Sequence, residues 1–231
     1  MSDPMNQAHP MPGPTGLPPT LLAAIGRDPH PVRPLASPAR RAVALLPLGI
    51  ALLFGMPAFW VWYANINVLV PWSWWFFSPM ETATGVCLLA AAFHEAVPGR
   101  ELRTSTLTAL TALAIAGFLA INLASARVVP GGVHPEIASL WLWECIGRTA
   151  LFSVPALALP AWLVARALPN RPALTGSLCG LGIGLMADAG LRAMCWDGEH
   201  THVVLTHGGA IALLVALGAS SATMVERLKR R

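Results

Sequence analysis

Six long apolar runs leave this chain few ways to fold. They lie at about 42–63, 75–96, 105–124, 140–165, 173–195 and 203–224. Each is near or above the roughly 18 to 20 residues that a helix needs to cross a bilayer. Water cannot cover such runs, whereas a bilayer can, provided that every backbone polar group is paired inside a helix. Transmembrane strands would alternate in polarity over about 10 residues, and these runs do not. Only 11% of the 231 residues are charged, and the mean hydropathy is +0.59. A soluble domain carries about 25% charge, so an ordinary soluble enzyme is excluded. The expected fold is an all-α integral membrane protein with six transmembrane helices over 42–224. A leader (1–41) precedes them and a basic tail (225–231) follows. The first run starts only near Ala42, behind a long proline-rich leader, so it is expected to remain as a span rather than to act as a cleavable signal peptide.

Orientation follows from the basic residues, which collect on the cytoplasmic side of membrane proteins. Arg27, Arg33, Arg40 and Arg41 lie before the first run, and Arg100 and Arg103 after the second. Arg166 and Arg171 flank the turn after the fourth, and Arg227, Lys229, Arg230 and Arg231 close the chain. All of these fall on one side if the spans alternate. The opposite loops hold only Arg127. Both termini are therefore expected in the cytoplasm, and the protein in a bacterial inner membrane. Trp60, Trp62, Trp72, Trp74, Trp75, Trp141, Trp143 and Trp196 lie at the outer ends, where indole favours the headgroup level.

Prolines recur through the leader, so most of it is expected to be disordered. One piece differs. Thr20 can cap a short helix after Pro19 that carries Leu21, Leu22 and Ile25 on one face. Such a segment either folds into a partner's groove or rests against the membrane.

The four cysteines are too few and too scattered for a secreted disulfide scaffold. Cys145 lies near the outer end of the fourth run and Cys195 closes the fifth at the same face. Arg148 and Arg192 stand one helical turn from them. A cation at that distance would favour thiolate and hence oxidation or soft-metal binding. Cys87 and Cys179, deeper, read as packing. The loop Cys195-Trp196-Asp197-Gly198-Glu199-His200-Thr201-His202, with His207 beyond it, has ligand types for zinc or cadmium. Its spacing matches no zinc motif, and a solvated loop is the plainer reading. Among metal ligands, Cys145, Cys195, His200 and His202 are the candidates.

Glu144 and Arg148 are spaced i, i+4, as are Asp188 and Arg192, so each pair can neutralise itself on its helix. Either pair serves as structural glue or as part of an ion path, although no further carboxylates continue such a path inward. Gly176, Gly180 and Gly184 form a small-xxx-small series that permits close helix approach. Glu81, His94 and Glu95 lie near the ends of the second run and are expected to reach the interface. Pro155 and Pro160 are expected to kink the fourth run. Nothing resembles a phosphate loop, a nucleophile elbow or a helical HExxH. No basic stripe with interleaved aromatics is present, so direct nucleic-acid binding is not expected.

The segment TLLAAIGRDPHPVRPLASP (Thr20 to Pro38) resembles the leader of the NrsF family, the negative regulators of sigma F. Cys145, the Pro155-Ala-Leu-Ala-Leu-Pro160 segment, the Arg171-Pro-Ala-Leu-Thr-Gly176 segment and Cys195 resemble its second half. The resemblance implies a six-span inner-membrane anti-sigma factor. Its leader, at about residues 20–38, would hold an extracytoplasmic-function sigma factor. Leu21, Leu22, Ile25, Arg27, Asp28, Val32 and Arg33 are the implied contacts. Cys145 and Cys195 would respond to heavy metal or oxidant, with no resident cofactor beyond a divalent metal held transiently there. The rival readings are a thiol–disulfide oxidoreductase, which lacks a close pair such as C-x-x-C, and a small metal or ion transporter, which lacks an evident internal repeat.

Overall fold

In a computed structural model the chain is described over residues 35–64, 72–125, 135–167, 169–195, 200–229 and 231. All of the regular structure described is helical. The first span is composite. It comprises α1 (Pro38–Val43), α2 (Leu46–Ile50), a π-helical turn at Ala51–Gly55 and α3 (Met56–Ala64). Then come α4 (Trp72–Glu95), α5 (Thr104–Ser125), α6 (Pro135–Ala165) and α7 (Pro172–Leu191). The chain finishes with α8 (His200–His202), a second π-helical turn at Val203–His207, and α9 (Gly208–Lys229).

Six of these stretches are long and apolar enough to span a membrane: Pro38–Trp60, Trp74–Glu95, Thr104–Ala124, Glu144–Ala165, Pro172–Leu191 and His200–Lys229. Leu113, Ile115, Leu151, Leu159, Trp162, Leu213 and Met224 all face outward. An apolar exterior of this kind is untenable in water and suited to lipid. The protein is a multi-pass membrane protein.

Helix α1 begins inside the stretch read as leader. Ser37 caps it by accepting from the Arg40 amide, and Pro38 supplies the first-turn φ. The fifth span ends at Leu191 rather than at Cys195. After it the chain tightens through turns, with the amides of Arg192, Ala193 and Met194 donating to Asp188, Gly190 and Leu191 carbonyls. Helix α6 runs unbroken through Pro155 and Pro160, and α4 does the same through Pro79.

The centre of the bundle is α7, 83% buried, against 22% for the peripheral α5. It is apolar around its whole circumference, as a helix surrounded by others must be. Glycines let neighbours approach it on three sides. Gly176 and Gly180 lie against the α9 backbone at Gly218 and Leu214. Gly182 meets Gly85 of α4, where a Cβ on Gly85 would come within 2.6 Å of the Gly182 carbonyl oxygen. Gly190 abuts Leu52 in the first π turn. The small-xxx-small face is therefore used as read, and the contacts at Gly182 and Gly190 add two more. Leu88, Leu89 and Phe93 from α4 pack with Leu178, Cys179, Ile183, Met186 and Leu214 into the main core.

One end of the bundle gathers the basic residues. Buried Arg41 donates to the Phe93 carbonyl at 2.8 Å and lies over the Phe93 ring. Asn170 donates to Glu101 at 2.8 Å, and Lys229 to the Ala165 carbonyl. Glu95 is buried, 1% exposed, and accepts from the Leu102 amide with Arg171 at 3.9 Å. It does not reach an interface, because the amide and the guanidinium supply the partners that water would. His94, half-buried, bonds the Arg100 carbonyl.

Gly180→Val should push α7 and α9 apart, costing about 3 kcal/mol as overpacking against backbone. Gly117→Val, with nothing within 4 Å of a new Cβ, should be close to neutral. Thermal unfolding of both variants in detergent checks the contrast.

Candidate functional site

At the end of the bundle opposite the basic residues, two thiols and an imidazole converge. The Sγ atoms of Cys145 and Cys195 and a ring nitrogen of His202 all lie within 4.8 Å of one another. Cys195 Sγ and His202 Nε2 are 3.4 Å apart. Cys145 comes from α6, where Thr149 Oγ1 donates to its carbonyl at 2.8 Å. Cys195 sits past the end of α7, held by a bond from its amide to the Leu191 carbonyl. Met56, Leu191 and Met194 pack around the pair.

The arginines assigned to these thiols are engaged elsewhere. Arg148 pairs with Glu144 at 2.6 Å and stacks over Trp60 at 3.8 Å. Arg192 is held between Asp188 at 2.7 Å and Glu81 at 3.0 Å. The Cys195 thiol is held above its ordinary pKa, first by its hydrogen bond with Cys145 and then by burial, with His202 and His207 opposing. The Cys195 thiol has Cys145, and not an arginine, as its partner.

His202 is buried at 8% exposure, so the reading of this stretch as a solvated loop fails for it. His200 is exposed and lies outside the group. Two residues apart on a helix, the two side chains point about 200° apart, so only one can face the thiols. The partner of His202 is His207. In an α-helix a spacing of five would separate them by about 140°. Over Val203–His207 the chain is π-helical, and its i→i+5 repeat brings that spacing back to one face. The two rings lie 5.8 Å apart, nearly perpendicular.

His207 is 1% exposed, with Nδ1 at 2.5 Å from Asp188 Oδ1. Its ring interacts with the Cys195 thiol, and its Nε2 is buried and makes no close hydrogen bond. Asp188 therefore does more than pair with its own helix's arginine: it joins His207, Arg192 and, through Arg192, Glu81 of α4 into one buried network. Glu81 is 2% exposed, which corrects the expectation that it reaches the interface. The arginine supplies the counter-charge that makes its burial tolerable. Trp74 is also turned inward from the expected belt, donating from Nε1 to the Ala189 carbonyl at 2.8 Å, whereas Trp75 is exposed. Of the remaining cysteines Cys179 is buried and Cys87 exposed.

The implied sigma contacts Leu21, Leu22, Ile25, Arg27, Asp28, Val32 and Arg33 lie outside the described residues, as do Arg127 and Trp196 through Glu199. His207 and Glu81 are the site residues that sequence reasoning undervalued. For His207 the one available signal is its spacing of five from His202, which becomes informative only once the π turn is known.

Residues 25–227 match the family described as NrsF, negative regulator of sigma F. The chain belongs to the NrsF family. The match covers most of the sequence, including both site cysteines, the first five spans and the sixth as far as Arg227, and it begins within the leader at Ile25. No curated protein and no solved structure matches the chain. The family is one of negative regulators rather than enzymes, and its description names a sigma factor as the regulated partner.

Removing Arg192 while keeping both carboxylates should be costly. Arg192→Leu is expected to destabilise the protein by about 3 kcal/mol, the scale for breaking a buried ion pair. Arg148→Leu, whose partner Glu144 is 57% exposed, should cost about 1 kcal/mol or less. Equilibrium unfolding in one detergent compares them directly.

Proposed function

We propose that this NrsF-family chain is an anti-sigma factor of the bacterial inner membrane, with both termini in the cytoplasm. Its leader holds an extracytoplasmic-function sigma factor at the membrane, and the Cys145–Cys195 pair on the periplasmic side receives the releasing signal. The observation that carries the reading is the convergence of these two thiols, from different spans, in a chain that matches the family over residues 25–227. Support for the orientation is the gathering of Arg40, Arg41, Arg100, Arg103, Arg166, Arg171 and Arg227 at the end away from the thiols.

Helix α4 is the element through which the signal would travel. Near one end Glu81 binds Arg192 of the buried network, and near the other the Phe93 carbonyl and ring hold Arg41 at the root of the leader. A change in how Cys145 and Cys195 are engaged shifts α6 against the end of α7. The network passes that shift to α4, and α4 alters the leader's anchorage. Gly85 and Gly182 bring the α4 and α7 backbones into direct contact, so a displacement of α7 is felt by α4.

Two experiments test the two halves. Full-length protein in detergent should capture one sigma factor, and Leu21→Asp/Leu22→Asp/Ile25→Asp should lose it; equal capture by both proteins would refute leader binding. In cells, Cys145→Ser/Cys195→Ser should hold the sigma factor normally yet fail to release it under cadmium or oxidant. Full induction of a sigma-dependent reporter in that variant would refute the sensing role.

A further inference from the structure

The thiol pair is surrounded by more ligand chemistry than an oxidation switch needs. A disulfide would use two sulfurs and leave the imidazoles of His202 and His207 without a task. Here His202 lies among the thiols, and His207, outside that 4.8 Å group with its ring 5.8 Å from the His202 ring, is buried and fixed by a carboxylate. We propose that Cys145, Cys195, His202 and His207 form a four-coordinate site for a soft divalent cation of the zinc and cadmium class, with Asp188 as the positioning carboxylate of His207. The proposal rests on the reading of Cys145 and Cys195 as the sensor and names what that sensor binds.

The geometry meets the demands of such an ion. Tetrahedral bonds of about 2.3 Å to sulfur and about 2.0 Å to nitrogen set those two atoms about 3.5 Å apart. Cys195 Sγ and His202 Nε2 stand at 3.4 Å. Cys145 Sγ lies within 4.8 Å of both, close enough for small side-chain rotations to bring these three together, and His207, outside that group, would be drawn in as the fourth ligand on capture. His207 supplies the independent observation. With Nδ1 on Asp188, its Nε2 is a buried nitrogen that makes no close hydrogen bond and has the Cys195 thiol, a weak partner, as its neighbour. Leaving a buried polar atom poorly paired is costly, and a cation among the thiols would satisfy it. Metal-binding histidines commonly give their other ring nitrogen to a carboxylate, which fixes the ring's tautomer and direction, and Asp188 occupies that place.

Charge and donor type select the ion. Coordination releases the two thiol protons, and the Nε2 proton of His207 where that ring is charged, to water, and the two thiolates then balance a divalent cation. Two sulfurs and two imidazole nitrogens suit zinc, cadmium or cobalt and not magnesium or calcium, which take oxygen ligands. Cys195 is only half-buried and offers the way in. Capture also engages His207 at Nε2 while Asp188 holds its Nδ1, so the ion pulls on the ring and thereby loads the network that reaches Glu81.

The test uses the full chain in detergent, reduced and stripped with chelator, then titrated with cobalt or cadmium chloride alone. One ion per chain is expected, with the tetrahedral absorption of thiolate-bound cobalt. X-ray absorption on the cadmium- or zinc-loaded wild type should show two sulfur and two imidazole ligands, a readout that requires no variant to fold. His207→Ala should weaken binding by at least about tenfold and Asp188→Asn by about 10–100-fold, while His200→Ala binds as wild type. A single imidazole ligand, unchanged affinity in His207→Ala, or no retention of either ion by the reduced wild type would overturn the proposal. If the ion binds as described but leaves sigma capture unchanged, the site stands and the sensing role falls. If no ion binds yet Cys145→Ser abolishes an oxidant response, sensing stands and this site falls.

Discussion

The bundle depends on the close backbone approach around α7. In a membrane no hydrophobic drive pulls one apolar helix toward another, so packing and interhelical polar contacts must do that work. Glycines at 176, 180, 182 and 190 let α9, α4 and the first span come to backbone distance on three sides of one helix. A helix so enclosed sheds lipid from nearly its whole surface. Its end then becomes a place where polar side chains can be kept from both lipid and bulk water. Asp188, Arg192 and Cys195 stand at that end.

The charges there show why a membrane protein can keep them. A lone Asp or Arg at depth is expensive, and the chain avoids that cost by mutual neutralisation. Arg192 binds two carboxylates, one on its own helix and one on α4, and Asp188 spreads its remaining acceptor capacity to His207. The result ties three spans together. A network of this kind has high stakes, since removing one member strands the others. It also makes the imidazole beside the thiols part of the same electrostatic unit as a helix that runs to the opposite end.

The two π-helical turns serve a related purpose. Ala51–Gly55 brings the Leu52 backbone against Gly190, and Val203–His207 turns two histidines five residues apart onto one face. Such turns relax the strict α-helical register and are frequent where a side chain must be aimed rather than merely buried. Here the aim is toward Cys195.

From sequence alone, apolar run length determined the number of spans, because a bilayer imposes a minimum length that no local packing can evade. Residues four apart on a helix must meet, so the Glu144–Arg148 and Asp188–Arg192 pairs and the Gly176–Gly180–Gly184 face were equally legible. The positions of Cys145 and Cys195 within their apolar runs, both near the outer end, assigned them to one end of the bundle. Tertiary structure decided the rest. It alone brought the two thiols to one point, exchanged exposed His200 for buried His207, drew Glu81 and Glu95 inward and took Arg192 away from Cys195. Each of those outcomes depends on which neighbour supplies a counter-charge or a carbonyl across a helix interface. Hydropathy and helical periodicity describe one helix at a time and hold no record of its neighbours.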